Sequence, residues 1–175
     1  MKKLTAWHFL QEDKKLRFEP FTDVKVGETL THEGELKMCS SGLHASIDAL
    51  DALQYAPGLI ACRVELSGDV IRGDDKCVAS QRKVKWMADA TVVVKKFAIW
   101  CAEEALANEV ANGRTPDPRS YAAVQAAKDY LEGKIDHAAA YAAAKAAANA
   151  ADKAAFIKKA NKKLTKMLME LAPNG

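Results

Sequence analysis

"DATVVVKKFAIWCAEEALANEVANG", residues 89–113, is the stretch on which the fold turns, because it reads in two ways. Thr91 to Val94 are β-branched and suit a strand. Against that, Val93, Phe97, Trp100, Cys101 and Ala105 recur at helical spacing, and Gly113 stands where a helix stops. The spacing favours one long helix. It also divides the chain into an α+β module over 1–88 and an alanine-rich helical region over 89–175.

Upstream of this segment, short apolar runs are broken by turn residues, the pattern of a small and mainly antiparallel sheet. LTAWHF (4–9), the alternating DVKVGETLTH (23–32), LIACRVEL (59–66) and KVKWM (83–87) are the expected strands. SIDALDALQYA (46–56) is expected as one short helix with Ser46 as N-cap and Ile47, Leu50 and Leu53 on one face. Ser67-Gly68-Asp69 and Arg72-Gly73-Asp74-Asp75 have the composition of tight reversals.

Downstream, Asp117 as N-cap, Pro118 in the first turn and Gly133 past the end predict a helix over the intervening residues. Asp136 is then expected to cap a segment reaching Leu171, with a bend at Asn149 to Asp152. Alanine favours helix and permits close approach of a neighbour, so Ala139, Ala143, Ala146 and Ala150 are expected to line a helix–helix contact. Beyond the bend, Phe156, Ile157, Ala160, Leu164, Met167, Leu168 and Leu171 form one stripe. Lys158, Lys159, Lys162, Lys163 and Lys166 lie opposite.

The 175 residues are 49% apolar and 28% charged, which suits one ordinary core rather than two large domains. No apolar run approaches the ~18 residues of a membrane span, and the first residues lack the pattern of a signal peptide. A cytoplasmic location is expected. Cys39, Cys62, Cys77 and Cys101 contain no Cys-x-x-Cys pair and are read as free thiols. Net charge is +3 but uneven: residues 1–112 hold 15 Lys/Arg against 17 Asp/Glu, and residues 113–175 hold 11 against 6.

The chemically suggestive stretch is CSSGLHAS, residues 39–46. A catalytic reading makes Cys39 or Ser40 a nucleophile and His44 its base, which requires a contact within about 3.2 Å and a third group orienting the base. The structural reading, which is preferred, makes Ser40-Ser41-Gly42 a turn, points Cys39 and Leu43 inward and bonds His44 to the following helix. His32, Cys39, His44 and Cys62 have the side chains of a zinc site without its spacing. Phosphate-binding glycine loops are absent as well. No metal or cofactor is expected.

Four segments together carry a resemblance: KMCSSGLHAS (37–46), ALDALQYAPG (49–58), IACRVELSGDV (60–70) and DDKCVASQRKVK (74–85). Over about residues 4–88 the chain resembles a small domain of unknown function recurrent in phage and prophage proteins. AIWCAEEAL (98–106) and the alanine-rich stretch from Pro116 are similar to the helical region of proteins described as immunity proteins. A looser likeness is to ADP-ribosyltransferases, in the order of LTAWHFL, GLHAS to QYAPG, and LIACRVELSG. That likeness implies NAD as cofactor, with His8 at the nicotinamide ribose and His44 stacked on the nicotinamide.

The resulting expectation is a non-catalytic accessory protein of a phage or mobile element. It binds a protein partner through the lysines at 158, 159, 162, 163 and 166, in an anti-defence or immunity-like role. ADP-ribosyl transfer by the first module, and nucleic-acid binding by the basic C-terminal helix, are the alternatives.

Overall fold

The structure, a computed structural model, describes residues 3–18, 20–134 and 153–173. Five strands, β1 (Leu4–Leu10), β2 (Thr29–Thr31), β3 (Leu43–Ala45), β4 (Ile60–Arg72) and β5 (Cys77–Asp89), are joined by the short helix α1 (Ala49–Gln54). Among the described residues three helices follow: α2 (Thr91–Ala111), α3 (Pro118–Leu131) and α4 (Lys153–Met169). The protein is α+β, with an antiparallel sheet first and helices after it. The chain packs as two units, Met1–Thr91 with Asn161–Gly175, and Val92–Ala160. The boundaries therefore fall at 91/92 and inside α4, where the sequence reading has a single one at 88/89. The alanines at 139, 143, 146 and 150, the Asp136 cap and the bend at 149–152 lie outside the described residues.

In the first unit, β4 and β5 form a hairpin of 13 residues a side, closed by a turn in which Gly73 donates to the Lys76 carbonyl at 2.8 Å. β1 pairs antiparallel with β4, and both β2 and β3 pair with β5. Trp7 and Ser46 then exchange two backbone hydrogen bonds, at 2.7 and 2.9 Å. This bridge gives β1 a neighbour on its second edge, so the sheet curls until the chain leaving β3 meets β1. Side chains alternate across a strand. The inner face accordingly collects Ala6, Leu10, Cys62, Val64, Leu66 and Val84 into one buried cluster with Ala45, Cys77 and Ala79.

Two register shifts make the hairpin longer and more bent than its sequence suggests. Ser67-Gly68-Asp69 is not a reversal: it lies inside β4, where Ser67 faces Gln81 and Val70 faces Ala79. Gly68 has φ +72°, and Asp69 N–H donates to Ser80 Oγ at 2.9 Å, the marks of a glycine bulge. A second bulge lies at Lys85, because Arg63 faces Trp86 while Val64 faces Val84.

The alternation at 23–32 gives only the three residues of β2. Val24 is buried while Val26 is exposed, and Gly27, at φ +86°, turns the chain between Val26 and β2. Helix α1 starts one residue after Asp48, whose side chain makes no capping bond. Ser46 is buried in the bridge to Trp7 instead of capping, and Ile47 is exposed. The Leu50 N–H in the first turn is met by Asn161 Oδ1 of α4 at 3.1 Å. Asn161 thus does the work that a cap residue does elsewhere. Ala160, Leu164 and Leu168 are the buried residues of the α4 stripe, four apart, and Ile157 is exposed.

In the second unit α2 is one continuous helix from Thr91, and Gly113 follows it at φ +72°. Asp117 caps α3 by accepting from Arg119 N–H at 2.8 Å, with Pro118 at the first helical position and Gly133 beyond the end at φ +73°. Phe97, Trp100 and Phe156 stack in sequence, with ring centroids 5.9 and 6.2 Å apart.

Candidate functional site

The turn at 37–42 is held by backbone bonds from Ser40 and Ser41 to the Lys37 carbonyl, at 3.1 and 2.9 Å. Cys39 takes a left-handed φ of +64° at its apex and is exposed, not inward-pointing as expected. Gly42, at φ +112°, passes so close to the Val78 side chain that a Cβ would strike it. Leu43 is buried, as the structural reading has it.

His44 bonds back into this turn rather than forward to α1. Its Nε2 accepts the Cys39 backbone N–H at 3.0 Å, so in the neutral ring the proton sits on Nδ1 and is donated to the Gly42 carbonyl at 3.1 Å. Burial holds its pKa below the ordinary value, and the Arg82 guanidinium works in the same direction. Both ring nitrogens are therefore engaged by backbone. The Cys39 thiol lies beside the Lys76 ammonium instead.

His8 is placed on the inner face, opposite Cys62. Burial first, and Arg82 second, push its pKa well down, so it is a neutral imidazole. Burial also pushes the Cys62 thiol up to about 12. Arg82 is the group around which these residues gather. It is only 2% exposed, and its Nη1 donates to the His44 carbonyl at 2.6 Å. Its Nε has no hydrogen-bond partner among the described residues, and burial draws its pKa down to about 10. His32 Nε2 bonds Ser41 Oγ at 2.9 Å. Among the described residues no three His, Cys, Asp or Glu side chains gather as a metal site, and Cys39 and Cys62 are separated as exposed and buried thiols.

The lysines at 158, 159, 162, 163 and 166 of α4 are not equivalent. Lys158, Lys162 and Lys166 are exposed. Lys159 pairs with Glu104 and lies 5.8 Å over the Trp100 ring, and Lys163 is partly buried. A groove of about 570 Å³ between α2 and α3 is lined by Leu106, Ala107, Tyr121 and Val124, with Lys128 and Glu103 paired at 2.6 Å on its wall.

Sequence reading missed Arg82, although its spacing of two from Val84 in an alternating run was a usable signal of a shared face. It also missed Arg63, whose guanidinium lies 4.4 Å over the Trp7 ring, itself edge-on to Trp86 at 5.7 Å. Nothing local marks those three as neighbours.

This architecture defines an α+β protein with a curled antiparallel sheet carrying a buried Arg–His cluster. Residues 4–96, more than half of the chain, match the family model described as a domain of unknown function, DUF7666, and the chain belongs to that family. No curated protein and no solved structure matches it. Among the described residues no helix is long and apolar enough to cross a membrane.

Proposed function

We propose that the protein is a non-catalytic accessory factor that binds an acidic protein partner through the lysines of α4. The observation that carries the non-catalytic part is the state of His44. With Nε2 taken by the Cys39 N–H and Nδ1 by the Gly42 carbonyl, the imidazole has no nitrogen left to draw a proton from Cys39 or Ser40. The exposed Lys158, Lys162 and Lys166 support the binding part, since cationic groups on a solvated helix face steer an acidic surface toward it. The resemblance of about residues 4–88 to a small domain of phage and prophage proteins, and of the helical region to proteins described as immunity proteins, supports a mobile-element setting in the cytoplasm, with an anti-defence or immunity-like role.

The test is capture of partners by the tagged protein from host extract, repeated with a Lys158→Glu, Lys162→Glu, Lys166→Glu variant and across a salt series. The expected outcome is an acidic protein retained by the parent, released by salt and lost in the variant. Label transfer from NAD that disappears in His8→Ala would replace this reading with an enzymatic one.

A further inference from the structure

The outer face of the sheet carries two adjacent rungs fixed by strand register. One is Thr5–Glu65–Lys83–Thr29, and the other is Trp7–Arg63–Trp86. Residues directly opposite in a ladder share a face, and Arg63 and Glu65, two apart, share it as well. Lys83 and Trp86 are three apart and would fall on opposite faces of a regular strand. The bulge at Lys85 brings them to the same one.

We infer that this face is a binding surface for single-stranded nucleic acid. Its charge is one-sided: Lys3 pairs with Glu65 at 2.9 Å, and Lys83 and Lys85 also act on that one carboxylate. Three ammonium groups face a single acid, and Arg63 adds a fourth cation on the next rung. Among the described residues neither Lys83 nor Lys85 has an ion-pair partner of its own.

The aromatic component is equally specific. Trp7 is buried and acts as a backing plate on which Arg63 stacks, while Trp86 stands partly exposed at the rung's end. Arg63 Nη1 is buried without a partner among the described residues. Bases stack on partly exposed aromatic and guanidinium planes while lysines follow the phosphates, and the exposed Thr5 and Thr29 add hydroxyl donors beside them. A protein partner would instead want an apolar centre to the patch. None of the large exposed apolar side chains among the described residues lies in either rung.

The experiment is fluorescence anisotropy of the full chain with labelled oligothymidylate of about 16 nucleotides, the upper end of what one small sheet module occupies. Neutralising three phosphates on a single strand predicts a slope of log affinity against log salt of roughly −2, reduced by about 0.7 for each lysine removed. Lys83→Ala and Lys85→Ala are expected to show that reduction with unchanged thermal melts. Trp86→Ala is expected to weaken binding about tenfold or more, and Trp86→Phe less, so that a folding defect in the first leaves the second as the test. The α4 variant Lys158→Ala, Lys162→Ala is expected to bind like the parent. Three results would overturn the inference: no binding at low salt; loss of binding only in the α4 variant; or equal affinity for polyglutamate or phosphatidylserine vesicles with no effect of Trp86 substitution.

Discussion

Two arginines on opposite faces of the β4–β5 hairpin are accommodated by different physics. Arg82 points into the core beside neutral His8, with one carbonyl as its hydrogen-bond partner and a buried Nε that has none among the described residues. Arg63 points outward, keeps part of its surface in water and rests on the Trp7 ring, although its Nη1 too is buried without a partner among the described residues. Burying an uncompensated cation is costly, whereas a guanidinium over an indole gains about 0.5–2 kcal/mol according to its desolvation. The inner arginine therefore strains the fold that the outer one supports, and its position is explained by geometry more than by charge.

The largest effect expected from breaking this contrast is at Arg82. Arg82→Ala leaves a cavity and an orphaned His44 carbonyl, and should cost about 3 kcal/mol or more in urea unfolding. Arg82→Met fills the space and removes the buried charge, so it should lie within about 1 kcal/mol of the parent. Arg63→Ala should cost only about 1 kcal/mol. An Arg82→Met protein as unstable as Arg82→Ala would mean that the interior requires the cation.

A middle-sized effect concerns the glycine bulge that bends the hairpin. At Gly68 a side chain meets both the left-handed φ and the Ser80 hydroxyl, while at Gly113 it meets the φ alone, in open space. Gly68→Ala should therefore cost about 2 kcal/mol or more and Gly113→Ala about 1. Adding Ser80→Ala should recover part of the Gly68→Ala loss, and a double-mutant cycle by thermal melts measures it. Additive losses would show that Ser80 does not crowd the bulge.

The effect smallest near neutral pH, where it vanishes, is that of His8. His8 has a folded pKa below the ordinary 6.5, so below that pH the unfolded chain takes up a proton that the folded chain refuses. Stability is then complete above about pH 6.5 and falls as pH drops, by up to about 1.4 kcal/mol per unit for this one group. His8→Gln should make that limb of the melting-temperature profile shallower, leaving the part that His44, also held below its ordinary value by burial, contributes. A profile unchanged by the substitution would place the acid sensitivity elsewhere.

What was legible in the sequence follows the same division. Asp117, Pro118 and Gly133 act within a few residues of one another, so the ends of α3 could be read locally. The class of fold and the antiparallel core strands came from alternation, which survives as long as the register is regular. The bulges at Gly68 and Lys85 break it, and with it the assignment of faces: Arg63, Lys83 and Trp86 meet only because of the one at Lys85. Cys39 looked reactive by composition, but its neighbours are set by the turn and by β5, which composition does not record.

One small contact reaches into how the chain is made. The acceptor for the Leu50 N–H is Asn161, 111 residues later in the order of synthesis. A nascent chain can pair β4 with β5 soon after both have emerged, but α1 must wait with that donor turned to water while the whole second unit is translated. The first unit is thus begun early and finished late. Throughout that interval its exposed edge is presented to whatever else surrounds the ribosome.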